Sequence, residues 1–293
     1  MQLISEAYSL LKNRKELDND AMAVVFDEWN GGELDSFLIE ITANILRFRD
    51  EDGKPLLDKI LDVAGQKGTG KWSAIAAMDE NDPLTLITEA VYARLLSALY
   101  PERIKAASLY SGKLKVESGK LSDNAQLSIE DVRQALYAAK LISYAQGFSL
   151  LRHASEHYGW DLDYGTIARI WRKGCIIRSV FLQKITEAYR KDPDLENLLF
   201  DDFFHTKIQE ALPAWRRVVA EGALSGVALP AMSSALNYFD GLRTLYSAAN
   251  MIQAQRDYFG AHTYERTDRE RGHFFHTNWT GEGGNTVSGT YSV

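Results

Sequence analysis

The chain repeats itself, and the repetition limits the folds open to it. Leu3-Ile4-Ser5-x-Ala7 returns as Leu141-Ile142-Ser143-x-Ala145, and Ser9-Leu10-Leu11 as Ser149-Leu150-Leu151. Trp29-x-x-Gly32 returns as Trp171-x-x-Gly174, and Phe37-Leu38-x-x-Ile41-Thr42 as Phe181-Leu182-x-x-Ile185-Thr186. The order is kept, while the offset drifts only from 138 to 144. Matched pieces in order argue for a duplicated unit, one copy near 1–110 and one near 130–250. Residues 111–127, rich in Gly, Ser and Lys, are the expected linker.

Both copies carry helical patterns. Apolar residues recur at three- and four-residue steps over 1–11, 21–29, 34–48, 84–99, 129–158 and 177–189. Phe204, Ile208, Leu212, Trp215 and Val218 keep helical intervals, with Pro213 expected to kink or interrupt the helix. Ser128-Ile129-Glu130-Asp131 has the form of a helix start with acids in its first turn. No strand run bounded by turns is found. The expected class is all-α, with residues 1–269 forming one large helical domain around a shared core. Residues 270–293 differ: they hold five glycines and isolated Phe274, Phe275, Trp279 and Tyr291. Such a segment closes no core of its own. Its aromatics imply an extended tail that docks on a partner subunit.

A chain of 293 residues buries a large core. Its net charge of −7, without a long block of like charge, argues against nucleic acid as a partner. Cys175 is the sole cysteine, so no intrachain disulfide is available and a reducing compartment fits. No apolar run reaches the length of a membrane span. Residues 1–14 lack the order of a signal peptide. A cytoplasmic location with no membrane partner is expected.

Gly65-Gln66-Lys67-Gly68-Thr69-Gly70-Lys71-Trp72 is the stretch richest in chemistry. Three glycines free the backbone to approach a ligand, and two lysines offer charge to an anion. The spacing matches a P-loop, but Trp72 stands where magnesium needs Ser or Thr, and the preceding segment is not strand-like. Nucleotide hydrolysis is therefore not expected. The run follows Leu57, Ile60, Leu61 and Ala64 at helical spacing, so it is expected to close a helix at its C-terminal end, where Gly is the usual cap. The second copy has no such run after Thr186, which shifts weight from capping to a ligand. His153-Ala154-Ser155-Glu156-His157 has a zinc-helix pattern but no third ligand nearby. No metal is expected, and the two histidines are taken as surface residues of a partly exposed helix.

The longer motifs resemble one family. Ile60-x-Asp62-x-x-Gly65-Gln66-Lys67-Gly68-Thr69-Gly70-x-Trp72, Ala93-Arg94 and Gly174-Cys175-Ile176-Ile177-Arg178 are similar to the 6-phosphogluconate dehydrogenases. So are Gln253-Ala254-Gln255-Arg256-Asp257-Tyr258-Phe259-Gly260-Ala261-His262-Thr263-Tyr264 and Phe275-His276-Thr277-Asn278-Trp279, in family order and spacing. The resemblance covers the whole chain and implies the helical C-terminal domain.

It implies that Lys67 and Arg94 bind the substrate phosphate, and that Arg256 and His262 reach the site from the neighbouring subunit. It implies a homodimer with exchanged C-terminal tails, in which Ser288, Gly289, Thr290 and Tyr291 touch the partner's NADP. Glu282 and Asn285 depart from the commoner family residues there. The implied reaction moves hydride from C3 of 6-phosphogluconate to NADP, releases carbon dioxide and reprotonates the enediol to ribulose 5-phosphate, without a metal. The family's dinucleotide domain, its lysine base and its glutamate acid have no counterpart in these residues. No catalytic residue is therefore assigned, and the chain alone is expected to be inactive. The rival reading is a catalytically silent helical module that dimerises or holds a phosphosugar.

Overall fold

Helix α7, Ile129–Tyr158, shows why residues 1–239 fold as helices around one spine. Its start is closed by a capping box: Ser128 Oγ accepts the Asp131 amide at 3.0 Å, and Asp131 accepts the Ser128 amide at 2.9 Å. Its end is closed by Gly159 at φ +65°. Between them Val132, Ala135, Leu136, Ala138, Ala139, Leu141, Ile142, Ala145 and Phe148 are buried. That set covers more than one helix face, so α7 must be packed from several sides.

The computed structural model describes residues 1–110, 127–172 and 175–281. The first half contains α1 (Gln2–Arg14), α2 (Asn19–Asn30), α3 (Phe37–Arg47), α4 (Thr69–Asp79), α5 (Thr85–Ala98) and α6 (Tyr100–Tyr110). After α7 come α8 (Tyr164–Trp171), α9 (Leu182–Lys191), α10 (Asp202–Ser225), α11 (Pro230–Leu242) and α12 (Ala249–Gly260). Two short strands, β1 (Tyr264–Glu265) and β2 (Phe274–Phe275), pair antiparallel with Tyr264 opposite Phe275. The all-α class holds. Helices α1, α5 and α10 all pack on α7. No helix of the described residues is long and apolar enough to cross a membrane.

The repeated pieces lie on corresponding elements: α1 against the second half of α7, the ends of α2 and α8, and the starts of α3 and α9. Ser36 and Ser179, at the repeat's own offset, form an antiparallel bridge. The Phe37 amide donates to the Arg178 carbonyl at 3.3 Å and the Val180 amide to the Asp35 carbonyl at 3.2 Å. Lys140 Nζ on α7 donates to Ser179 Oγ at 2.9 Å, and that hydroxyl donates to the Asp35 carbonyl. Burial pushes the Lys140 amine down to about 7, against the opposing pull of Asp35.

Three expectations need correction. The helix foreseen over 177–189 starts only at Leu182, because Arg178–Val180 is spent in the bridge. Pro213 does not interrupt α10, which runs unbroken from Asp202 to Ser225. Only one amide is lost there, and Ala211, Ala214 and Trp215 anchor both sides of it in the core. No strand is expected, yet Tyr264–Glu265 and Phe274–Phe275 pair as a short hairpin within the chain. Contacts divide the chain between Phe239 and Asp240, whereas the sequence reading places a division at 269/270. Of the expected linker, residues 111–126 lie outside the described residues, as do Gly174, Glu282, Asn285 and Ser288–Tyr291.

Trp215 is fully buried on α10 and its indole N–H donates to the Met232 carbonyl of α11 at 3.2 Å. Trp215→Ala removes that packing and the indole hydrogen bond to α11. The expected cost is about 3–5 kcal/mol, measured by urea unfolding; a loss below ~1 kcal/mol would show that the α10–α11 contact is not a core element.

Candidate functional site

The glycine run does not close a helix; it opens one. Leu57 belongs to a single 3-10 turn, Leu56–Lys59, and the chain then runs irregularly to Gly68. Gly68 stands at the N-cap of α4 with φ +101°, a backbone state that only glycine adopts without strain. A Cβ on Gly70 would come within 2.8 Å of the Val91 side chain, so Gly70 lets α4 approach α5. The helix foreseen across 57–64 fails because Ile60, Leu61, Val63 and Ala64 are all exposed and no tertiary surface rewards it. The error matters electrically. A helix N-terminus presents free amides and positive potential, where a C-terminus would repel an anion. No side chain caps the α4 start, and no acid lies in its first turn.

Lys67 is exposed, one residue before that start. Arg94 is half-buried on α5, its guanidinium 3.9 Å from the Met1 sulfur. Neither forms an ion pair among the described residues; in particular, Arg94 does not pair with Glu89, five residues earlier on α5. The two segments are tied together. The Ala64 amide donates to Ser97 Oγ at 2.9 Å, and Ser97 Oγ donates to the Arg94 carbonyl at 2.7 Å. Arg103 pairs with Asp62 and also donates to the carbonyls of Asp62 and Ser97, at 3.3 and 3.1 Å. Ser97 and Arg103 therefore hold the approach to Lys67 against the helical turn that bears Arg94. Sequence reasoning missed both, because serine and arginine on a helix give no local sign of a distant carbonyl partner.

The second unit holds Arg256 and His262. Arg256, half-buried on α12, donates to Gln253 Oε1 at 2.9 Å. The next residue, Asp257, is fully buried. It accepts the Thr263 and Thr277 amides at 3.0 Å, His276 Nδ1 at 2.9 Å and the Trp279 indole N–H at 2.8 Å. Thus Phe274–Trp279 folds back on its own chain. The histidines of the zinc-like pattern have partners as well: His153 lies 2.7 Å from buried Asp82, and His157 2.7 Å from Glu80. Ser149 shares Asp82, so this cluster joins α7 to the region between α4 and α5.

These features define a helical domain in which a glycine opens α4 and the segment before Lys67 is hydrogen-bonded to the turn of α5 that bears Arg94. Residues 1–279 match the family described as 6-phosphogluconate dehydrogenase, C-terminal domain. The chain belongs to that family. It is 54% identical over all 293 residues to the decarboxylating 6-phosphogluconate dehydrogenases of Rattus norvegicus and Homo sapiens. It spans 60% of the length of those relatives. A solved structure of Plasmodium falciparum 6-phosphogluconate dehydrogenase superposes with a TM-score of 0.90 at 44% identity, over 95% of this chain and 59% of that one. That enzyme was determined in its apo form, with its cofactor NADP+ and with its substrate 6-phosphogluconate.

Burial works against the ionised form of Asp257, but the bonds from Thr277, His276, Trp279 and Thr263 outweigh it and hold its pKa below the ordinary 3.8. A carboxylate with a depressed folded pKa stabilises above its unfolded value and loses that contribution as pH falls through the folded one. The Trp279 indole N–H resonance is therefore expected to titrate with a midpoint below the ordinary 3.8. Asp257→Asn should show the shifted signal at neutral pH. An indole signal indifferent to both changes would remove Asp257 from this role.

Proposed function

We propose that this chain supplies the phosphate end of the substrate site and the dimer surface of an enzyme that oxidatively decarboxylates 6-phosphogluconate to ribulose 5-phosphate with NADP. The observation that carries the reading is the hydrogen-bonded tie from the segment before Lys67 to the Arg94 carbonyl, together with the uncapped start of α4 that follows Lys67. A guanidinium fork, an ammonium and free helix amides are what a phosphate dianion needs. Arg256 and His262 serve the site of the partner subunit in this reading. Ser288–Tyr291, which lie outside the described residues, reach toward its NADP. Neither a lysine base nor an enediol-protonating glutamate is assigned among these 293 residues. These residues alone are therefore expected to carry no dehydrogenase activity. A cytoplasmic location belongs to this reading and is supported by the single cysteine, which fits a reducing compartment.

Duplication of a helical unit belongs to the same reading and is supported by the Ser36–Ser179 bridge. The homodimer is supported by apolar surface that the first unit leaves open. Trp72 and Met78 on α4, Leu96 on α5 and Leu109 and Tyr110 on α6 are each at least 58% exposed. Helix α6 buries no residue at all. A surface of this kind on helices beside the site fits a second copy of the chain.

Arg94→Ala is expected to weaken 6-phosphogluconate binding roughly 10- to 150-fold, the value of one charged hydrogen-bonding group. Arg94→Lys should recover part of the loss, since the planar fork is gone. Arg178, which pairs with Glu40, is the control and should lose little. Equal losses at Arg94 and Arg178 by calorimetry would end the phosphate assignment.

For the dimer, Met78→Glu with Leu96→Glu should raise the dissociation constant at least roughly tenfold. Sedimentation velocity of the pair at unchanged affinity would move the interface elsewhere. Removing residues 282–293 should also weaken association if the tails are exchanged.

A further inference from the structure

The end of α12 is built around one carboxamide. Gln253 Oε1 accepts from Arg256 Nη1 at 2.9 Å, while Gln253 Nε2 donates to the Thr263 carbonyl at 3.1 Å. The orientation of the amide is fixed by chemistry, because a guanidinium only donates and a carbonyl only accepts. The Thr263 amide is held as well, by Asp257 at 3.0 Å. Both backbone groups of Thr263 are thus taken by side chains of α12, on either side of Arg256. The turn they hold is a strained one. Ala261 sits at φ +50° and Thr263 at φ +56°, left-handed values that non-glycine residues avoid.

His262 lies between those two residues. A Cβ on Gly260 would come within 2.7 Å of His262 Nε2 and 2.8 Å of Cδ2, so the imidazole rests on bare backbone. Phe259 meets the same ring edge-on, with centroids 5.8 Å apart. Arg256 is steadied by a neutral oxygen and forms no ion pair among the described residues. That choice of partner is informative. A carboxylate at position 253 would hold the guanidinium equally well but would consume its charge, whereas a carboxamide orients it and leaves the charge for an anion.

We infer that Gln253 is a positioning residue, which with Asp257 and Gly260 sets Arg256 and His262 in advance for the phosphate of the substrate; this rests on the phosphosugar reading above. Asp257 and Gly260 fix the turn, and Gln253 couples the turn to the guanidinium.

The test uses the full 293-residue chain. Side-chain NMR follows the Arg256 Nε–Hε signal and Thr263 amide exchange, and calorimetry follows 6-phosphogluconate. In Gln253→Ala the Arg256 signal should become mobile and Thr263 exchange should speed up. The dissociation constant should rise roughly 2- to 12-fold, the cost of ordering one long side chain on binding. Gln253→Glu should keep Arg256 ordered and still lose affinity, because its charge is taken. An Arg256 signal and a Thr263 exchange rate unchanged in Gln253→Ala would overturn the inference. Arg256→Ala separates the two readings: unchanged affinity there sinks the phosphosugar assignment, while the NMR signals of the Gln253 variants still decide the positioning role.

Discussion

Burial of α7 from several sides is the constraint on which the rest of the first unit depends. A helix of 30 residues with Ala135, Ala138, Ala139 and Ala145 among its buried positions lets other helices come close. Helices α1, α5 and α10 take those places. Each brings a functional or stabilising consequence. Helix α5 carries Arg94, α10 carries Trp215, and α1 places Glu6 under the start of α11. There the buried Glu6 carboxylate accepts the Ala231 and Met232 amides at 2.8 and 2.9 Å. Burial, set first against the bonds from Gln2 and the two amides, raises the Glu6 pKa. Lys140 on the same spine holds the Ser36–Ser179 bridge. Glu6 and Lys140 thus serve as polar pins between elements.

The region around Lys67 and Arg94 reverses that logic. The segment before Lys67 and the turn bearing Arg94 are joined through backbone groups: Ser97 and Arg103 bind main-chain atoms and Asp62, and neither Lys67 nor Arg94 has a carboxylate partner among the described residues. An α4 start with no capping side chain and no acid in its first turn keeps the positive potential of its free amides. Gly68 supplies the left-handed turn that aims the chain into α4, and Gly70 lets α4 lie close to α5. The same economy appears in the second unit. Its described residues contribute no side chain to the hydrophobic core, so the Asp257 carboxylate takes the organising part that such a core plays elsewhere. A single buried carboxylate with four donors fixes a turn, a hairpin and an indole together.

The sequence by itself determined the helical class, the spine and its cap. Ser128 and Asp131 form a local capping box, and three- and four-residue apolar spacing is a local property of the chain. It also determined the family, through long motifs around Lys67, Arg94 and Arg256. What only the tertiary structure decided is which end of a helix the glycine run occupies, and what holds each cation. The 57–64 segment has helical spacing, yet a short helix needs a surface to bury its face, and the exposed Ile60 and Leu61 find none in the described chain. Ser97, Arg103 and Gln253 work through partners up to 41 residues away, beyond any local pattern. Spacing along the chain records which residues share a face; only packing settles what that face meets.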